Sequence, residues 1–219
     1  TSAAALLRAA EQVPDPELRE VLRESALRGA IIDTPWSAAF ISYVIRRAGV
    51  AAPGFRFSNA HRIYIYDAFA VSIAEVAGKT GDGIYRACPL TSTRPRVGDV
   101  ICAQREPALA ADSELAVRER IRGELDGGTD TRSVRRTHCE VVAHIDRAAR
   151  KVYTIGGNVN QAVSARKLNL RGRSLRFSSA QKGNCGSLRH WTLPQHVAHS
   201  NHAPCSLNDK KWFVLLQLR

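Results

Sequence analysis

The 219-residue sequence contains no methionine and few aromatic residues. Nowhere does it approach the roughly eighteen consecutive apolar residues that a membrane-spanning helix needs. Its last apolar run, 212–218, is far too short to cross a bilayer, which excludes an integral helical membrane protein. The five cysteines, Cys88, Cys102, Cys139, Cys185 and Cys205, include no CxxC pair and no Cys/His spacing of a zinc site, so neither a structural metal nor a cofactor is expected. Internal repeats and low-complexity tracts are also missing, which rules out a solenoid or a collagen-like rod. The missing methionine predicts that an initiator, and with it an export signal, has been removed.

What is present describes an ordinary globular protein, with 44% apolar and 24% charged residues and enough chain to bury one core without staples. Lysine and arginine number 32 against 20 acidic residues, a formal charge of +12. Such a field attracts polyanions: nucleic acid, anionic lipid, or the peptidoglycan and other anionic polymers of a bacterial envelope. Most of the cations are arginines scattered along the chain, as at Arg46–Arg47, Arg94, Arg135–Arg136 and Arg171. They are not interleaved with aromatics as a base-stacking platform requires, so nucleic acid is disfavoured. Cys185 and Cys205 sit in a Gly/Ser/His-rich stretch where a covalent staple would help most. A bridge between them, in an oxidising compartment, is expected.

Hydrophobic periodicity predicts helices first and strands after. Leu6, Leu7 and Ala10, then Leu18, Val21, Leu22 and Ala26, fall at helical spacing in 3–13 and 16–28. A stronger helix opens at Thr34-Pro35-Trp36-Ser37, with Thr34 as N-cap and Pro35 as first helical residue, and is stopped by Gly49. Another helix is expected over 59–76. After the Pro/Gly turn 94–99 the pattern shifts to strands: 100–103, 138–145, 151–155, then 159–167, with 212–218 closing the sheet. Residues 113–125 read as a helix. The expectation is one α+β domain over 1–219, with a helical extension at 1–32 and an insertion or lid at 104–137.

Four short segments occur in order: Pro35-Trp36-Ser37-Ala38-Ala39-Phe40-Ile41-Ser42, Val97-Gly98-Asp99-Val100-Ile101-Cys102, His138-Cys139-Glu140-Val141-Val142, and Ile155-Gly156-Gly157-Asn158-Val159. In these the chain resembles the bacterial family catalogued as domain of unknown function 2272 and, more distantly, the papain-like CHAP and NlpC-type cell-wall amidases. The resemblance spans residues 35 to 165. It implies a papain-like fold, with N-terminal helices packed on a central antiparallel sheet. It also implies Ser37 in the nucleophile slot, His138 as general base and Asn158 orienting the imidazole, with Trp36, His61 and Asp99 as substrate-binding candidates. It further pairs the strands carrying Cys102 and Cys139, which are then core thiols or a second bridge. The implied activity is hydrolysis of a peptidoglycan amide bond by an exported, periplasmic or secreted protein. Such a protein could be an antibacterial effector with an immunity partner.

The wider amidase group has cysteine where this chain has Ser37. A thiol at a helix N-terminus ionises readily, whereas a hydroxyl needs its base at the moment of attack. Ser37 is therefore a working nucleophile, the mark of a retired enzyme that survives as a wall-binding module, or a replaced cysteine. Plainer roles compete at each position. Serine suits a first helical turn, His138 suits a strand entrance, Asn158 suits a left-handed turn, and Asp99 suits a turn cap. His61 and Tyr64, one turn apart, fit a half-buried helix as well as a cleft. His190, His196, His199 and His202 have a spacing that invites a metal, but two prolines bracket the last three and no carboxylate joins them.

Overall fold

The computed structural model describes residues 3–105, 113–128, 132–159, 161–178 and 210–219. The backbone forms two compact units, Thr1–Trp36 and Ser37–Arg219. In the first, α1 (Ala3–Glu11) and α2 (Pro16–Asp33) pack on each other. Asp15 starts α2 by accepting a hydrogen bond from the Leu18 amide at 2.9 Å, the arrangement that makes aspartate a good helix cap. The sequence predicts α2 only to residue 28; it continues to Asp33 because nothing between Leu27 and Ile32 breaks it except Gly29, which a helix tolerates.

The second unit holds α3 (Ser37–Arg47), α4 (His61–Val76), α5 (Glu114–Asp126) and seven strands: β1 (Tyr85–Cys88), β2 (Val100–Gln104), β3 (Thr137–Asp146), β4 (Lys151–Val159), β5 (Ala162–Arg171), β6 (Arg176–Phe177) and β7 (Lys211–Leu218). The strands form one curled sheet in the order β1-β7-β2-β3-β4-β5-β6, every neighbouring pair antiparallel. The α+β class is as the sequence predicts. Strand β1 and the short β6 were not expected; β1 offers only four residues, and its pairing with the distant β7 leaves no local trace. The segment 156–158, read as a turn, lies inside β4, where the register shifts between Gly156 and Val159.

Alternation along β2 explains why the sheet is buried on both faces. Val100 and Cys102 join a cluster with Ile41, Ile45, Phe69, Cys139 and Leu216, roofed by α3, α4 and α5. Ile101 and Ala103 join Val142, Val152, Leu168, Phe177 and Leu215, a second cluster made by the sheet and its connecting turns. The α5 helix, inside the segment read as an insertion, puts Val117 and Ile121 into the first cluster.

Cys102 and Cys139 face each other across β2 and β3 and form a disulfide. It closes a 37-residue loop that contains α5. Chain-entropy reasoning assigns such a cross-link about 3–4 kcal/mol. Replacing both cysteines by alanine should lower the unfolding free energy by about that amount, read from urea titrations at unchanged m; a loss under about 1 kcal/mol would show that the bridge constrains little. Cys88 is a free, half-buried thiol whose pKa burial pushes up. The expected Cys185–Cys205 bridge and the four-histidine cluster fall outside the described residues.

Candidate functional site

Two helix N-termini meet at the site. Ser37 is the first residue of α3 and His61 the first of α4, and the Ser37 hydroxyl lies 2.7 Å from His61 Nε2. The pairing follows from local structure. Ser42, in the second turn of α3, donates its hydroxyl to the Ser58 carbonyl at 2.8 Å and accepts from the Ser58 amide at 3.0 Å. Ser58 Oγ in turn accepts from the Ala60 amide. This serine staple fixes the turn that opens α4 against α3 and so delivers His61 to Ser37. The other ring nitrogen of His61, Nδ1, is hydrogen-bonded to the Tyr64 hydroxyl one helical turn on, at the spacing that brings side chains together on one face. Ser37 is 4% and His61 5% exposed.

His138 and Glu140, two residues apart on β3, are both fully buried. The His138 ring centroid lies 5.6 Å from that of His61, nearly perpendicular to it. Arg105 Nη2 donates to His138 Nδ1 at 2.9 Å. Because a guanidinium can only donate, Nδ1 must be the acceptor, and the proton of neutral His138 sits on Nε2. From there it is donated to Glu140 Oε1 at 3.1 Å. Glu140 also accepts from Thr154 Oγ1 at 2.6 Å and from Arg166 Nε. Thr154 and Arg166 face each other across β4 and β5. Gly156 makes room for this network, since a Cβ there would lie 2.7 Å from Glu140 Cγ and 3.1 Å from His138 Nε2.

Electrostatics separate the roles. Burial lowers the His61 pKa well below its ordinary value, and the neighbouring His138 and Arg105 charges push the same way. Burial also lowers His138, outweighing the pull of Glu140. For Glu140, burial alone would favour the neutral acid, but the His138 hydrogen bond, the Arg166 charge and Thr154 together hold it ionised with a pKa of about 2. Both histidines are thus harder to protonate in the folded protein than in the unfolded chain, where they take up protons below about 6.5. The unfolded state then binds more protons, so stability rises with pH and is lost as pH falls below about 6.5. Glu140, depressed from 4.5 towards 2, adds a second loss that begins below pH 4.5. Thermal midpoints measured from pH 7.5 to 5 should fall, and His61→Phe should flatten the slope. A flat profile in the unsubstituted protein would show that the histidines do not remain neutral.

The sequence-predicted residues divide as follows. Ser37 and His61 are in contact. His138 stands behind His61, with both its nitrogens engaged by Arg105 and Glu140. Asn158, at the register shift of β4, has φ +55°, the left-handed backbone that asparagine tolerates; among the described residues its carboxamide has no hydrogen-bond partner. Asp99 lies at the opposite end of β2 from Arg105, fully buried. There it accepts from the Arg96 amide at 2.7 Å and the Leu218 amide at 2.9 Å, tying the 96–99 turn to the end of β7. Trp36 precedes Ser37 and belongs to the N-terminal unit. Ser42, Arg105, Thr154 and Arg166 had no assigned role in the sequence reading, whereas Tyr64 was read together with His61 as fitting a cleft or a half-buried helix. His138-x-Glu140 is a one-face strand pair visible in sequence, whereas Thr154 and Arg166 join it only through the register of β4 and β5. Among the described residues no group of histidine, cysteine and carboxylate side chains could hold a metal, and no helix is long and apolar enough to cross a membrane.

No curated protein and no solved structure matches the chain. Residues 18–218, which take in all of the second unit except Arg219 and most of α2, match the bacterial family described as uncharacterized protein conserved in bacteria (DUF2272), and the chain belongs to that family.

Proposed function

We propose that the chain is a papain-like hydrolase, exported by a bacterium, that cleaves an amide bond of peptidoglycan with Ser37 as nucleophile. The observation that carries this reading is the 2.7 Å contact between the Ser37 hydroxyl and a neutral His61 at the N-terminus of α3. In the reacting tautomer Nε2 of His61 accepts the Ser37 proton while Nδ1–H is donated to the Tyr64 oxygen. Ser37 Oγ bonds to the substrate carbonyl carbon. The amide N–H groups of the first turn of α3, which have no intrahelical partner, face the charge that develops on the carbonyl oxygen. The C–N bond then breaks, His61 returns the proton to the leaving amine, and water attacks the acyl-serine by the reverse proton path. In this reading the base is His61, and His138, which the sequence resemblance puts in that role, holds Arg105 beside the site. Asn158 orients substrate or simply shapes β4.

Export is supported by the disulfide, which persists in oxidising compartments. Peptidoglycan as substrate is supported by the +12 charge, which would hold the protein on an anionic wall. The near-complete burial of Ser37 and His61 favours one rival: a silent wall-binding module that keeps the cleft. Incubation with purified sacculi, followed by mass analysis of soluble fragments, separates the two. Release by the unsubstituted protein, lost in Ser37→Ala, supports the hydrolase and identifies the bond. Binding without release, with activity gained in Ser37→Cys, supports the module. Asn158→Gly keeps the left-handed backbone while removing the carboxamide, so unchanged release by that variant assigns Asn158 to shape alone.

A further inference from the structure

Beside the Ser37–His61 pair the protein gathers more positive charge than it neutralises. Arg166, whose side chain is 3% exposed, pairs with Glu140. Arg105, partly exposed just past the end of β2, reaches His138 Nδ1. Lys210, half-buried just before β7, stands across from Arg105, because Gln104 pairs with Lys211 in the antiparallel register of β2 and β7. Burial and then the Arg166 charge pull its pKa down to about 8. Arg105 is likewise disfavoured by burial and by Arg166. Among the described residues Glu140 is the one carboxylate acting on Arg105 and Lys210, and its oxygens are already engaged by His138, Thr154 and Arg166. The two histidines nearby, neutral or protonated, supply no negative charge.

Such a cluster costs stability through mutual repulsion, and the His138–Glu140 relay holds Arg105 in it. The Lys210 ammonium has no hydrogen bond or ion pair among the described residues. The excess charge acts on His61, whose ring is 5.6 Å from that of His138 and feels Arg105 directly. We propose that Arg105 and Lys210 form a subsite for a substrate carboxylate next to the bond presented to Ser37, with His138 and Glu140 as positioning residues for Arg105. This rests on the hydrolase reading for the identity of the neighbouring bond, but the subsite itself is a binding property. The chemistry it selects is an acyl or peptide group with a free carboxylate, which a guanidinium and an ammonium can engage together with charge-assisted hydrogen bonds. Substrate in which that carboxylate is amidated leaves both cations unpaired and is rejected.

The test uses full-length Ser37→Ala protein, which cannot turn over, and two probes: N-acetylalanylalanine, in its D,D and L,L forms, and the corresponding C-terminal amides. Calorimetric titration should show at least one acid binding about ten-fold or more tightly than its amide, with the preference weakened by salt. Lys210→Gln in the same background should bring the acid-to-amide ratio close to one. Arg105→Gln provides a second variant should the first fail to fold. Loss of packing alone would weaken acid and amide together and leave the ratio unchanged, which would overturn the proposal. Equal affinity for acid and amide, or competition by inorganic phosphate far stronger than by acetate, would also overturn it. A retained acid preference in a protein whose unsubstituted form releases nothing from sacculi upholds the subsite and sinks the hydrolase; turnover without the preference does the reverse.

Discussion

Glu140→Gln is expected to lower the unfolding free energy by about 3–5 kcal/mol, the usual cost of removing one partner from a buried ion pair. The carboxylate has no exposure, and three side chains from three strands converge on it. An amide of the same shape can still accept from two of them, but Arg166 then loses the buried carboxylate it is paired with. The neutral side chain also presents an NH2 group where His138 and Arg166 donate and only the Thr154 hydroxyl can turn to accept. Gly156→Ala perturbs the same place from the opposite side. Its Cβ would stand 2.7 Å from Glu140 Cγ, a carbon that cannot move without breaking the network, so overpacking of about 1–3 kcal/mol is expected. Urea unfolding monitored by circular dichroism reads both. A change below about 1 kcal/mol in Glu140→Gln, with m unchanged, would mean that the Arg166 charge finds water on its own.

His61→Ala should reduce the rate of peptidoglycan release by about 10²–10⁴-fold while leaving the fold intact, the range that general-base catalysis supplies. The large effect follows from the hydroxyl nucleophile. A serine does not ionise near neutral pH, so attack depends on a base in contact at that moment. Substituting His138 should act differently. Both its nitrogens are occupied, so His138→Gln should raise KM through displacement of Arg105 more than it lowers kcat. With the His61 pKa depressed, the acid limb of kcat/KM should fall below the 6.5 of a free histidine. An acid limb at or above that value would point to a base other than His61. Larger loss of kcat in His138→Gln than in His61→Ala would return the role of base to His138.

The order of helices and strands was legible because amphipathic runs such as 37–47 carry a helical period and strands such as 212–218 read as short continuous apolar runs. Site membership was legible where a residue opens an element: Ser37 at the start of α3, His138 near the start of β3. Partners that come together through tertiary register were not. Arg105 and Arg166 are two among 32 basic residues, and no local pattern distinguishes them. The contact between Ser37 and His61 depends on Ser42 capturing the 58–60 turn, a bond between residues sixteen apart whose geometry no spacing rule encodes. Gly156 reads as a turn glycine, yet it sits in a strand because Glu140 fills the space its side chain would take.

The central claim is that Ser37 is activated by His61. Its most direct test is intact-protein mass spectrometry after incubation with a small fluorophosphonate, with peptide mapping of the adduct. One phosphonyl group on Ser37, absent from His61→Ala and present in His138→Gln, is the predicted result. No adduct at Ser37, or an adduct formed equally fast without His61, would contradict the account.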